Sequence, residues 1–195
     1  MVRYDAGTAL VVVDVQNDFA DPAGALSVPG GAGVIRAVND EIAAATDAGA
    51  TVVYTQDWHP PTTPHFAIEG GPWPVHCVRD TWGADFHPDL VVVGPSVHKG
   101  TGGEDGYSGF TLRDPTDGSP GGTTGLDAML RERGAERVVV VGLALDYCVK
   151  ATALDAVECG FDATVVRAAT APVDVEPGDG DRAVSELTAA GVSVV

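Results

Sequence analysis

The apolar residues of this chain fall in short uniform runs more often than in alternating ones. Ala9-Leu10-Val11-Val12-Val13 is unbroken until Asp14, and such a run reads as a strand buried on both faces of a parallel sheet. Between Val34 and Ala45 the apolar positions Val34, Val38, Ile42 and Ala45 recur at helical spacing, with Gly49 as the stop. Thr51 to Thr55 reads as a second strand. Residues 57–90 then lose periodicity, are rich in proline and hold all three tryptophans; a loop that long inside a compact domain is usually functional. Leu90 to Val93 predicts a third short strand that resumes at Ser96-Val97, and a glycine-rich stretch from Gly100 to Gly122 follows.

The second half is more regular. Leu126, Met129 and Leu130 mark a helix face, Arg137 to Val141 a strand, and Val149 to Val157 a helix closed by Gly160. Ala163 to Val166 is a strand, Ala183, Val184, Leu187 and Ala190 a last helix, and Val192 to Val195 a final strand. Strands alternating with helices of these lengths predict an α/β domain. We expect a doubly wound, mainly parallel six-stranded sheet with helices on both faces, spanning 1–195 as a single domain.

Ligands of such sheets bind outside the carboxyl ends of the strands, and that edge is rich in chemistry. Asp14 follows the first strand, Asp57 and His59 the second, His98 and Lys99 the third, and Leu143 to Cys148 the fourth. Cys148 opens a helix, where unpaired N–H groups and a nearby lysine favour a thiolate; a small buried hydrophobe fits the same position equally well. Asp57 and His59 are two apart on extended chain, so their side chains point the same way and can chelate one ion. His65 and His76 sit in the same aperiodic loop. His87 and His98 read as structural, and the side chain of His98 should point opposite to that of Lys99. Cys77 reads as structural and Cys159 as core. Lysine is almost absent, so Lys99 at a strand end stands out, whereas Lys150 reads as surface.

Charge narrows the partners. Of 195 residues, 28 are Asp or Glu and 11 are Lys or Arg, a formal net charge of −17. That balance repels nucleic acid and anionic membranes. The acids are scattered, with no run of five, and such a surface suits high salt; we expect a halophilic or salt-tolerant source. The first residues show no signal-peptide pattern and no stretch reaches transmembrane length. Three irregularly spaced cysteines fit a reduced, cytoplasmic protein.

Linked motifs carry a resemblance. Val13-Asp14-Val15-Gln16-Asn17-Asp18-Phe19, Gln56-Asp57-Trp58-His59-Pro60, Trp73-Pro74-Val75-His76-Cys77-Val78, Lys99-Gly100-Thr101, Tyr107-Ser108-Gly109-Phe110 and Gly142 to Val149 resemble, in order and spacing, the nicotinamidase/pyrazinamidase family of isochorismatase-like hydrolases. The resemblance implies a catalytic triad of Asp14, Lys99 and Cys148, and an oxyanion hole from the amides of Ala144 and Cys148 beside a cis Leu143–Ala144 bond. It implies metal ligands Asp57, His59 and His76, to which some members add a histidine matching His65. Phe19, Trp73 and Tyr107 match ring-contacting aromatics, and Leu26 lies at the pocket rim. There the family's usual Gly-Gly is replaced by Asp21-Pro22-Ala23-Gly24-Ala25-Leu26, and Leu145 stands where a Thr is frequent.

The resemblance thus implies deamidation of nicotinamide, with pyrazinamide as a further substrate, through a cysteine thioester in NAD salvage. A mixed carboxylate and imidazole site suits one divalent transition metal, Zn, Fe or Mn. Family members form both monomers and larger assemblies, so a homo-oligomer is compatible with it. Two alternatives stand beside this reading: another isochorismatase-like amidase, and an inactive metal- or ligand-binding relative.

Overall fold

The uniform runs build one sheet. A computed structural model describes residues 2–195, whose elements in chain order are β1 (Thr8–Val13), α1 (Asn17–Ala20), α2 (Gly31–Asp47), β2 (Thr51–Asp57), β3 (Ser96–Lys99), β4 (Thr111–Arg113), β5 (Pro120–Thr123), α3 (Leu126–Glu132), β6 (Arg137–Leu143), α4 (Lys150–Glu158), β7 (Asp162–Ala171), α5 (Asp179–Ala189) and β8 (Ser193–Val194). Six strands pair in the order β3-β2-β1-β6-β7-β8, every neighbour parallel. The expected fold class holds.

All six residues of β1 are buried, because the strand has a helical layer on each side. Leu10 and Val12 join Val34, Ile35, Val38 and Ile42 of α2 in one core. Ala9, Val11 and Val13 join residues of α3, α4 and α5 in the other. The chain winds outward from β1 through β2 to β3, then returns to β6 on the other side of β1. The crevice between the ends of β1 and β6 is therefore the point where strand order reverses, the usual place for a ligand in an open α/β sheet.

Three expectations need correction. Leu90 to Val93 is not a strand: Val91, Val92 and Val93 are exposed. The edge of β2 is taken by Ser96 to Lys99. The preceding segment is held by side chains instead, Tyr54 Oη donating to the Val91 carbonyl (2.8 Å) and Asn39 Oδ1 accepting from the Val91 N–H (2.9 Å). The glycine-rich stretch contains an antiparallel hairpin, β4–β5, which no alternation announces. The final strand starts at Ser193 rather than Val192, and Val195 continues its pairing with β7, its N–H donating to the Val165 carbonyl at 3.0 Å and its carbonyl accepting from the Arg167 N–H at 2.7 Å. Among the described residues no helix is long and apolar enough to cross a membrane.

Candidate active site

The end of β1 delivers Asp14 into the crevice in a left-handed conformation, φ 49°. Its fully buried carboxylate accepts from Thr55 Oγ1 and from Lys99 Nζ, each at 2.6 Å. Close approach of β6 to this turn requires Gly142, with φ 106°, where an added Cβ would lie 2.1 Å from the Val13 carbonyl oxygen. Lys99 ends β3 with its side chain inward, while that of His98 points outward and stacks on Trp58 at 4.4 Å, as alternation requires.

Lys99 is wholly buried and fully engaged. Beside Asp14 it meets Asp57 Oδ1 at 2.9 Å, and it donates to the carbonyls of Gly106 and Tyr107. Burial works against its charge, yet Asp14 and Asp57 outweigh burial and hold it protonated. Burial raises the Asp14 pKa to about 6, against the downward pull of Lys99. Asp57 goes the other way: burial alone would raise it, but Lys99 and His59 hold it below the usual carboxylate range.

Cys148 lies in a wide, π-type turn, Leu145–Val149, that leads into α4. Tyr147 and Val149 N–H groups both donate to the Ala144 carbonyl, at 3.1 and 3.0 Å, and the Leu143–Ala144 peptide bond is cis. Sγ lies within 4.8 Å of carboxylate oxygens of both Asp14 and Asp57. Here the expectation of a pKa drawn down is reversed. Burial pushes the thiol up; Lys99 pulls against it, and Asp14 adds to the rise. The resting group is a thiol beside a carboxylate, an arrangement that needs a base.

The imidazoles gather against Asp57 from the other side. His59 Nε2 and His76 Nε2 lie 3.7 and 3.8 Å from Asp57 Oδ2, and His65 stacks on His59 at 5.0 Å. Ring nitrogens of His59, His65 and His76 all lie within 4.8 Å of one another. Burial, with help from His59, lowers the His65 pKa to about 3, and burial lowers His76 as well, so both rings are neutral and each keeps a nitrogen lone pair for a metal. The His76 ring is oriented by a 2.7 Å contact from Nδ1 to the Pro74 carbonyl. His59 Nδ1 and Nε2 and His65 Nδ1 are buried without a hydrogen-bond partner. Orphaned nitrogens are rare in proteins, and a divalent ion among these four side chains would take one nitrogen of His59 and one of His65, so the donor set fits a metal.

A pocket of about 380 Å³, its open mouth included, reaches Cys148 and Asp57. Phe19, Leu26, Trp73 and Tyr107 line it, as do Val28, Tyr147 and Val173, which the sequence reading did not single out. Trp73 Nε1 donates to the Tyr107 hydroxyl at 2.8 Å, and Tyr147 packs edge-on against Trp73 at 4.9 Å. Gln16 is a second omission. Its side-chain amide clamps the backbone of Asp57, accepting from the N–H and donating to the carbonyl, both at 2.8 Å. His87 contacts Asp21 and Asp89, away from this cluster, and Lys150 pairs with Glu186 at the surface. Cys77 is buried and Cys159 half-buried, both as free thiols.

A doubly wound sheet with a cysteine, a lysine and an aspartate at its switch point defines a class. Residues 8–195 match the isochorismatase domain, and the chain belongs to that family of hydrolases, in its nicotinamidase/pyrazinamidase branch. It is 42% identical to the nicotinamidase/pyrazinamidase of Mycobacterium tuberculosis over 96% of this chain and 97% of that protein. A pyrazinamidase of Pyrococcus horikoshii, solved in complex with zinc, superposes with a TM-score of 0.86 at 41% identity, covering 97% of this chain and 98% of its own. PnC1 from L. infantum, in complex with nicotinate, gives 0.87 at 34% identity, covering 100% and 95%.

Proposed function

We propose that this protein hydrolyses nicotinamide to nicotinate and ammonia, with Cys148 as nucleophile, Asp14 as proton carrier and Lys99 as their electrostatic anchor. The observation that carries the reading is the buried contact of Lys99 with Asp14 at 2.6 Å, with the Cys148 thiol beside the same carboxylate. Asp14 takes the thiol proton as Sγ bonds to the carboxamide carbon, and the carbonyl electron pair moves to oxygen. The backbone amides of Ala144 and Cys148 hold that oxyanion. Asp14 then passes its proton to the amide nitrogen, the C–N bond breaks, and ammonia leaves a thioester on Cys148. Water adds to the thioester carbon while Asp14 accepts its proton. Collapse releases nicotinate, and the proton returns to sulfur.

Lys99 keeps Asp14 ionised despite burial and offsets negative charge as it forms on sulfur. Phe19, Trp73 and Tyr107 flank the ring, and Leu26 closes the rim. Asp57, His59, His76 and His65 would hold one divalent ion, Zn, Fe or Mn. When bound, the ion supplies a Lewis-acid site for a ring nitrogen and for water. The zinc of the Pyrococcus relative and the nicotinate of the L. infantum relative support this metal and this substrate class. Pyrazinamide, which keeps a ring nitrogen and a carboxamide, fits the same scheme. The three free thiols suit a reducing compartment, which supports a cytoplasmic role in NAD salvage, and the acidic surface suits a salt-adapted source.

The test is ammonia release from nicotinamide by metal-loaded protein, compared with Cys148→Ala. We expect turnover by the wild type and a loss of at least about 10³-fold in the variant, with ligand binding retained. Absence of turnover by the wild type would leave the inactive binding relative as the reading.

A further inference from the structure

Asp18 is a buried carboxylate that the chemistry above does not use. It sits on α1, four residues after the base Asp14 and next to the pocket wall Phe19. Its Oδ2 accepts from the Cys77 N–H at 2.7 Å, and its Oδ1 accepts from the Ala25 N–H at 2.9 Å. Cys77 directly follows His76 and holds a left-handed conformation, φ 44°, which a residue with a side chain adopts at a cost and keeps only when its surroundings enforce it. On its other side the same residue accepts at its carbonyl from the His59 N–H, at 3.0 Å. One residue is therefore tied on one side to a metal-site histidine and on the other to Asp18.

Gly83 shapes the seat of this carboxylate. An added Cβ there would lie 2.0 Å from Asp18 Oδ2 and 2.3 Å from its Cγ, so any side chain at 83 displaces the carboxylate. At its other end Asp18 holds Ala25, the neighbour of the rim residue Leu26, whose own N–H donates to the Asp18 carbonyl at 3.1 Å.

We propose that Asp18 is a positioning residue for the metal centre: through the Cys77 peptide it aims the His76 ring at Asp57 and His59, and so sets the affinity of the site for zinc. The proposal rests on the metal reading above. Groups that orient metal ligands from behind change affinity by about 10–100-fold when removed. Asparagine at 18 keeps one acceptor but turns the second into a donor facing a backbone N–H, so it cannot hold both Cys77 and Ala25.

The experiment compares wild type, Asp18→Asn and Gly83→Ala by zinc competition against a chromogenic chelator, and by thermal melting of the metal-free proteins. We expect zinc affinity to fall about tenfold or more in both variants, with a cooperative metal-free melting transition retained. Affinity within less than tenfold of wild type in a variant that still melts cooperatively overturns the proposal. Where one variant does not melt cooperatively the other decides. If neither does, Asp18 holds the fold and the proposal fails. A wild type that binds no zinc overturns the metal reading itself, and this proposal with it.

Discussion

Asp14 is the residue at which burial and charge compete most openly. Its pKa near 6 makes it a carboxylate at neutral pH and an acid one step below. In the proposed mechanism only the carboxylate can take the Cys148 proton, so kcat/KM should fall by about tenfold per pH unit below about pH 6. Unfolding driven by Asp14 does not explain such a loss. A carboxyl whose folded pKa is raised contributes stability below its unfolded value of about 3.9, and loses it as pH rises through 6. Acid therefore silences this base while easing the cost of burying it. A profile of kcat/KM with circular dichroism at each pH checks this, and a rate that stays level down to about pH 5 rejects Asp14 as the base. Asp14, Lys99 and Cys148 were legible because acid, ammonium and thiol all fall where strands end. Gln16, Tyr147, Val28 and Val173 were not, because a backbone clamp or an apolar wall has no signature until the chain is folded.

Elements convert those residues into a site through a few close approaches. β6 meets the end of β1 where Gly142 has no side chain and a positive φ. Gly142→Ala should destabilise the protein by about 2 kcal/mol or more, from strain and from contact with the Val13 carbonyl. It should also lower turnover, because it parts the strand that leads to Cys148 from the strand that ends at Asp14. Urea unfolding alongside ammonia release measures both, and an unchanged midpoint would show that the sheet yields there. Periodicity locates an element where its run is long and apolar, as in β1 and α2. It fails at Leu90 to Val93, where an apolar run loses its place on β2 to the equally long but less apolar Ser96 to Lys99, a competition for hydrogen-bonding partners that periodicity cannot register. The start of α4 departs in a subtler way: its wide turn at Leu145–Val149 shares the 3.6-residue pattern of an ordinary helix in sequence.

At the scale of the whole molecule, the net charge of −17 has little part in the chemistry. Inside the site, Asp14 and Asp57 share the single ammonium of Lys99, and most of the remaining acids lie at the surface as uncompensated charge. Mutual repulsion among them weakens with screening, so the melting temperature should rise from low to molar salt; a level series rejects salt adaptation. The sequence by itself determined the layer order, since buried parallel strands demand uniform apolar runs and intervening helices. It also determined which chemical groups reach the carboxyl edge, because strand ends are readable where those runs stop. Only the tertiary structure decided that the Cys148 thiol is driven up in pKa rather than down, that His65 stands among the other imidazoles, and that Asp18 reaches from α1 to the peptide beside His76. Those outcomes depend on desolvation and on contacts between segments tens of residues apart, and neither quantity exists until the chain has folded.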